Sequence, residues 1–109
     1  TSHWMWFVFP QIAGLGRSAM ARTYAISTLH AAQTYLEHPV LGPRLVTAAE
    51  SVLTQRNRTA DQILGDIDAL KLWSSMTLFA HADAGQTVFR SVLDAFFDGE
   101  EDPGTLERL

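Results

Sequence analysis

Lys71, Ser74 and Ser75 stand three and four residues apart within DALKLWSSMTLF, residues 68 to 79. On a helix this spacing gathers one amine and two hydroxyls on one arc, a set that can hold an anion in a wet pocket. K-x-x-S also supplies the base and nucleophile of a Lys–Ser dyad, but no third group or oxyanion hole accompanies it. A second set lies in SHWMWFVFPQ, residues 2 to 11, where His3, Trp6 and Gln11 offer an imidazole, an indole donor and an amide that could orient a planar polar ligand. If catalysis occurs, His3 is the best acid or base, because imidazole changes charge closest to neutral pH. A third is AGLGRS, residues 13 to 18, a glycine-rich turn before a helix start. Its backbone N–H groups could cradle a phosphate or carboxylate, with Arg17 adding charge.

Each set also has a plain structural reading. Asp68 lies three residues before Lys71 and can pair with it, the two serines then filling small gaps in a packed helix. Trp4, Phe7 and Phe9 are expected in the core, where aromatic side chains dominate buried area. AGLGRS lacks the GK[ST] of a P-loop and the third glycine of a dinucleotide fingerprint, and no strand precedes it, so a tight turn is sufficient explanation. No cofactor is implied. The four histidines, at 3, 30, 38 and 81, form no i,i+3 or i,i+4 pair and no HExxH, so no metal site is expected. His38 and His81 fall near helix ends, where a lone histidine caps the helix or faces solvent.

Composition narrows the classes. The 109 residues are 47% hydrophobic with a net charge of −4, a pI near 5.4 and a mean hydropathy of +0.02. That suits one globular domain with a single modest core. Eight scattered basic residues provide no field for a nucleic-acid backbone. The longest apolar run, Trp4 to Phe9, is far short of the ~20 residues of a membrane span. Absence of cysteine excludes disulfides, thiolate metal sites and thiol nucleophiles, and suits a cytoplasmic protein. The chain opens on its most hydrophobic stretch, so an upstream segment is expected to pack against it.

The apolar spacing is helical. Met20 to Ile26 reads as a short helix capped by Ser18; Ser27 or Thr28 caps a second reaching Glu37, where His38-Pro39 stops it. Gly42-Pro43 opens a third, with an inward stripe of Leu45, Ala48, Ala49, Val52 and Leu53. Thr59-Ala60-Asp61-Gln62 is a capping box for a short helix ending at Gly65. Asp66 or Asp68 is expected to cap the next, running to about Ala80 and apolar around most of its circumference, hence buried on most faces. Asp83-Ala84-Gly85-Gln86 repeats the capping pattern ahead of Val88, Phe89, Val92, Leu93, Phe96 and Phe97, and Gly99 ends that helix. The acidic tail, 100–109, is expected to fray apart from a last turn. SHWMWFVFP has strand-like composition, but a lone strand would lack a partner, so a short helix or irregular buried segment from Ser2 to Pro10 is favoured. The fold expected is all-α, a compact single domain of about five or six short helices.

SHWMWFVFPQIAGLG, YLEHPVLGPRL and DALKLWSSMTLFA, in this order and at these separations, resemble the bacterial family catalogued as domain of unknown function 1810. The resemblance spans nearly the whole chain. It implies a mainly helical fold, usually with an additional N-terminal helical segment, and carries no catalytic residues. The calpastatin label sometimes given to family members implies nothing, since a calpain inhibitor is a disordered, repeat-rich chain.

Two functions from different classes remain. One is a domain that binds a small anionic, nucleotide-like metabolite between the first and third motifs, using His3, Trp6, Gln11, Arg17, Lys71, Ser74 and Ser75. The other is a module that packs its aromatic N-terminal segment against a protein partner or a second copy, with no catalytic activity.

Overall fold

Local caps start and stop most of the helices. The computed structural model describes residues 9–11, 26–55 and 57–109, whose regular elements are six helices. Helix α1, Leu29–Glu37, begins where the Thr28 hydroxyl accepts the Ala31 N–H, which satisfies one of the unpaired donors of the first turn. It ends at His38, whose extended backbone follows from the proline after it. His38 then turns its side chain to the next element: Nδ1 accepts the N–H groups of Val40 and Leu41, each at 3.1 Å. This caps α2, Leu41–Leu53. Gly42 is buried at the corner, and a Cβ there would collide with the Leu36 carbonyl oxygen. Glycine therefore lets the first turn of α2 lie directly on the backbone of α1.

The capping box forms as expected. Thr59 N–H donates to Gln62 Oε1 and Gln62 N–H to Thr59 Oγ1, starting α3, Ala60–Leu64. Gly65, at φ +86°, joins it to α4, Asp66–Ala82. Helix α5, Val88–Phe97, stops at two residues with positive φ, Asp98 and Gly99, and the Gly99 N–H returns to the Leu93 carbonyl, closing the turn as C-terminal glycine motifs do. Helix α6, Pro103–Leu106, is capped by Asp102 and has proline in its first turn.

Helix α4 is the centre of the molecule, in contact with α1, α3, α5 and α6. Leu72, Met76, Leu78 and Phe79 are fully enclosed, as its nearly continuous apolar surface requires. Around it the core takes Ala32 from α1, Leu45, Ala49 and Val52 from α2, Val88, Phe89, Val92 and Leu93 from α5, and Phe9 from the N-terminal segment. The Phe79 ring lies between those of Tyr35 and Phe89, at 5.6 and 5.7 Å. This row of rings runs from α1 through α4 to α5 and fixes Tyr35 in place.

Some expectations need correction. The N-cap position of α4 falls on Gly65, ahead of both expected aspartates, while Asp68 pairs with Lys71 within the helix. Leu70 is largely exposed, so the apolar surface of α4 opens near its start. Asp83 Oδ1 accepts the Gly85 N–H in a turn, and α5 begins later, after Thr87, with no side-chain cap from Thr87. Ile26 is not helical: its N–H donates to the Gln11 carbonyl at 2.7 Å, bringing the N-terminal segment alongside the entry to α1. The rest of the Met20–Ile26 helix, and Ser2 to Val8, lie outside the described residues. The acidic tail forms its last turn and docks, with Asp102 and Thr105 buried.

Candidate functional site

The arc of α4 that carries Lys71, Ser74 and Ser75 is largely turned inward. Lys71 Nζ lies 3.4 Å from Asp68 Oδ1, and the two side chains are only 15% and 17% exposed. The pair is thus the i,i+3 pair anticipated, but more sheltered than a surface pair. Ser74 Oγ donates to Asp102 Oδ2 at 2.6 Å and also lies 3.1 Å from the Leu70 carbonyl. The same carboxylate oxygen accepts the Thr105 hydroxyl at 2.7 Å, and Oδ1 accepts the Gly104 N–H. The Asp102 N–H in turn donates to Thr77 Oγ1, whose own hydroxyl donates to the Trp73 carbonyl. This buried network joins α4 to the C-terminal turn, so Ser74 acts as a fastener. Ser75 is fully buried, and its hydroxyl has no hydrogen-bond partner among the described residues.

Of the other predicted site residues, Gln11 is buried and its carbonyl receives Ile26. His3, Trp6 and Arg17 lie outside the described residues. Phe9 is in the core, as expected of it; Trp4 and Phe7 also lie outside the described residues. His38 caps a helix, one of its two anticipated roles. His81 lies beside Glu101, with Nε2 2.7 Å from Oε2, and Arg90 reaches the same oxygen at 2.7 Å. The hydrogen bond from Arg90 holds the Glu101 carboxyl below its ordinary 4.5; burial opposes this, and His81 adds to it. Trp73 seals that end, its indole N–H donating to the Glu100 carbonyl at 2.8 Å and its ring stacked on Phe97. Among the described residues no group of three His, Asp or Glu side chains is placed to hold a metal ion.

A different place has the form of a binding site. Between α1 and α2 lies a cleft of about 440 Å³ lined by Tyr35, Leu41, Pro43, Arg44, Leu45, Thr47 and Ala48. Its volume falls in the range of small-molecule sites, and such sites combine apolar walls with a few polar groups. Leu41, Arg44, Leu45 and Ala48 share one face of α2 through their i,i+3 and i,i+4 spacing. Tyr35 faces them from α1, half-buried, with its ring against Phe79. Burial raises its phenol above the ordinary 10.0, against the opposing pull of the Arg44 charge, so the phenol is neutral at physiological pH. Arg44 is exposed at the edge and makes no ion pair or side-chain hydrogen bond with any described residue.

Sequence reading passed over Tyr35, Arg44 and Thr47. One signal was present: Arg44 sits three residues after Leu41 and four before Ala48, a cation within an apolar stripe. The other was YLEHPVLGPRL itself, which supplies five of the seven lining residues.

The family model described as "Protein of unknown function (DUF1810)" matches residues 1–109. No curated protein matches the chain. Among solved structures, the fold is similar to that of the conserved hypothetical protein Rv1873 from Mycobacterium tuberculosis, with a TM-score of 0.96 and 47% identity over 100% of this chain and 78% of that one. An all-helical fold centred on α4, a match along all 109 residues and a close structural likeness lead to one assignment: the chain belongs to the DUF1810 family, whose function is unknown.

Proposed function

We propose that this protein binds a small anionic metabolite, and that the ligand enters the cleft between α1 and α2. The observation that carries this reading is Arg44, a guanidinium at the edge of an apolar cleft with no partner among the described residues. An unpaired guanidinium matches a carboxylate or phosphate through two parallel hydrogen bonds. The N-terminal end of α2, where Leu41 and Pro43 line the cleft, adds a favourable dipole for negative charge. A cysteine-free chain fits the cytoplasm, where such metabolites are available.

A second placement keeps the ligand between the first motif and α4, with Lys71 as the cation and His3, Trp6, Gln11 and Arg17 around it. One observation favours it: the buried Ser75 hydroxyl lacks a partner among the described residues. The Arg44 cleft is the stronger reading because Lys71 already has Asp68 and Ser74 already has Asp102.

A thermal-shift panel of benzoate, AMP, glucose 6-phosphate and inorganic phosphate tests the choice. The expected result is a concentration-dependent rise in Tm with at least one compound, as linkage requires. It should disappear in Arg44→Gln and persist in Lys71→Met. The opposite pattern places the site on α4. No shift with any compound overturns the reading and favours the protein-interaction module.

A further inference from the structure

We propose that the α1–α2 cleft is shaped for a monocarboxylate with a compact apolar body, aromatic or branched aliphatic, and that Arg44 grips its carboxylate. This rests on the reading of the cleft as an anion site and narrows the ligand to one class. Three features of the cleft argue for that class.

The first is the chemistry of the walls. Leu41, Pro43, Leu45 and Ala48 present hydrocarbon, and Tyr35 adds a ring held by its packing on Phe79. Among the described residues, the polar side chains at the cleft are the Arg44 guanidinium, the Thr47 hydroxyl and the Tyr35 phenol. A sugar or nucleobase brings many donors and acceptors, and each one buried against hydrocarbon loses its bonds to water without replacement. An apolar body loses none and gains burial.

The second is charge. The Arg44 guanidinium, without an ion-pair partner among the described residues, equals one carboxylate in charge and in the geometry of its paired N–H groups. The chain as a whole carries −4, so a doubly or triply charged phosphate ester is disfavoured at long range while a single negative charge is only weakly repelled. The third is the neutral phenol. Burial raises the Tyr35 phenol above its ordinary 10.0, against the opposing pull of the Arg44 charge, so the wall beside Arg44 adds no negative charge.

The corner that builds the cleft is rigid, which suits a small ligand. Gly42 seats α2 on the Leu36 carbonyl, and His38 ties the first N–H groups of α2 to the end of α1. The distance between the Tyr35 wall and the Arg44 wall is therefore set by backbone contact, and little ordering is required on binding.

Isothermal titration of the protein with benzoate, 3-methylbutanoate, benzamide, AMP and glucose 6-phosphate tests the assignment. Benzoate or 3-methylbutanoate should bind, with benzamide at least tenfold weaker than benzoate because it lacks the charge. Arg44→Gln should weaken the carboxylates at least tenfold and leave benzamide within about twofold. Ala48→Phe, which fills the cleft while Arg44 remains, should abolish binding of both carboxylates; circular dichroism and Tm check that each variant is folded. AMP or glucose 6-phosphate binding more tightly than either carboxylate, and lost in Arg44→Gln, would overturn this ligand class while leaving an anion site at the cleft. Carboxylate binding unchanged in both variants, or no binding by any of the compounds, would overturn the class and the cleft together.

Discussion

Two helix faces carry a cation among apolar side chains, and they have opposite fates. On α4, Lys71 pairs with Asp68 and Ser74 with Asp102. On α2, Arg44 has no such partner among the described residues and borders an open cleft. From residue types and spacing the α4 face looks richer, with an amine and two hydroxyls against a single guanidinium. The difference lies in whether the fold supplies the counter-group. A polar group answered from within the protein is part of the architecture, because burying it unanswered would be costly. One left unanswered at the surface is available to a ligand.

The sharpest way to break this comparison is Asp102→Ala. It leaves the Ser74 and Thr105 hydroxyls and the Gly104 N–H without their common acceptor, in a place closed to water. Loss of about 3 kcal/mol of stability is expected from several buried donors losing a charged partner. Urea unfolding should show a lower midpoint with an unchanged m-value, and ligand binding at the cleft should persist in the folded variant. A loss near zero would mean that the network fastens nothing.

Lys71→Met should act more mildly. It removes the cation beside Asp68 but leaves a well-sized side chain, so a loss of about 1 kcal/mol is expected for a sheltered pair short of full burial. Binding of the cleft ligand should be unchanged by titration. A tenfold fall in affinity would instead make the α4 face the site and reverse the comparison.

The smallest effect concerns the third charged cluster, where Glu101 bridges His81 and Arg90. Its carboxyl is held below 4.5, chiefly by the Arg90 hydrogen bond. The folded state therefore releases this proton more readily than the unfolded chain does. The resulting stabilisation is present above the ordinary carboxylate pKa and is lost as pH falls through the lowered folded value. Glu101→Gln should be modestly less stable than the parent at neutral pH, with the gap closing below about pH 4.5. A gap that stays constant in acid would show that the ion pairs contribute nothing there.

The sequence disclosed most where one short segment contains both members of an interaction. Thr28 with Ala31, Thr59 with Gln62, and Gly99 with Leu93 are separated by a few residues, so the helix ends they define could be read without knowing what lies across the molecule. The burial of α4 was equally legible, since a helix apolar on most sides has few other places to go. The start of α4 was misread because two aspartates offered a cap and Gly65 took the position with its own backbone. The site was harder still. Asp102 is 28 residues from Ser74, and the composition of the tail suggested fraying.

What the sequence determined by itself was the helical character of the chain, the caps at Thr28 and at Thr59 with Gln62, the deep burial of α4 and the family. Those properties follow from interactions within a turn or two and from the period of apolar residues. Only the tertiary structure decided which polar groups are spent and which remain. It brought Asp102 onto Ser74 and placed Tyr35 opposite Arg44 across a cleft, because those pairings depend on how α1, α2, α4 and α6 pack against one another. The physical reason is that a side chain's availability is a difference between its own bonding capacity and what its neighbours in space satisfy, and those neighbours are assigned by packing.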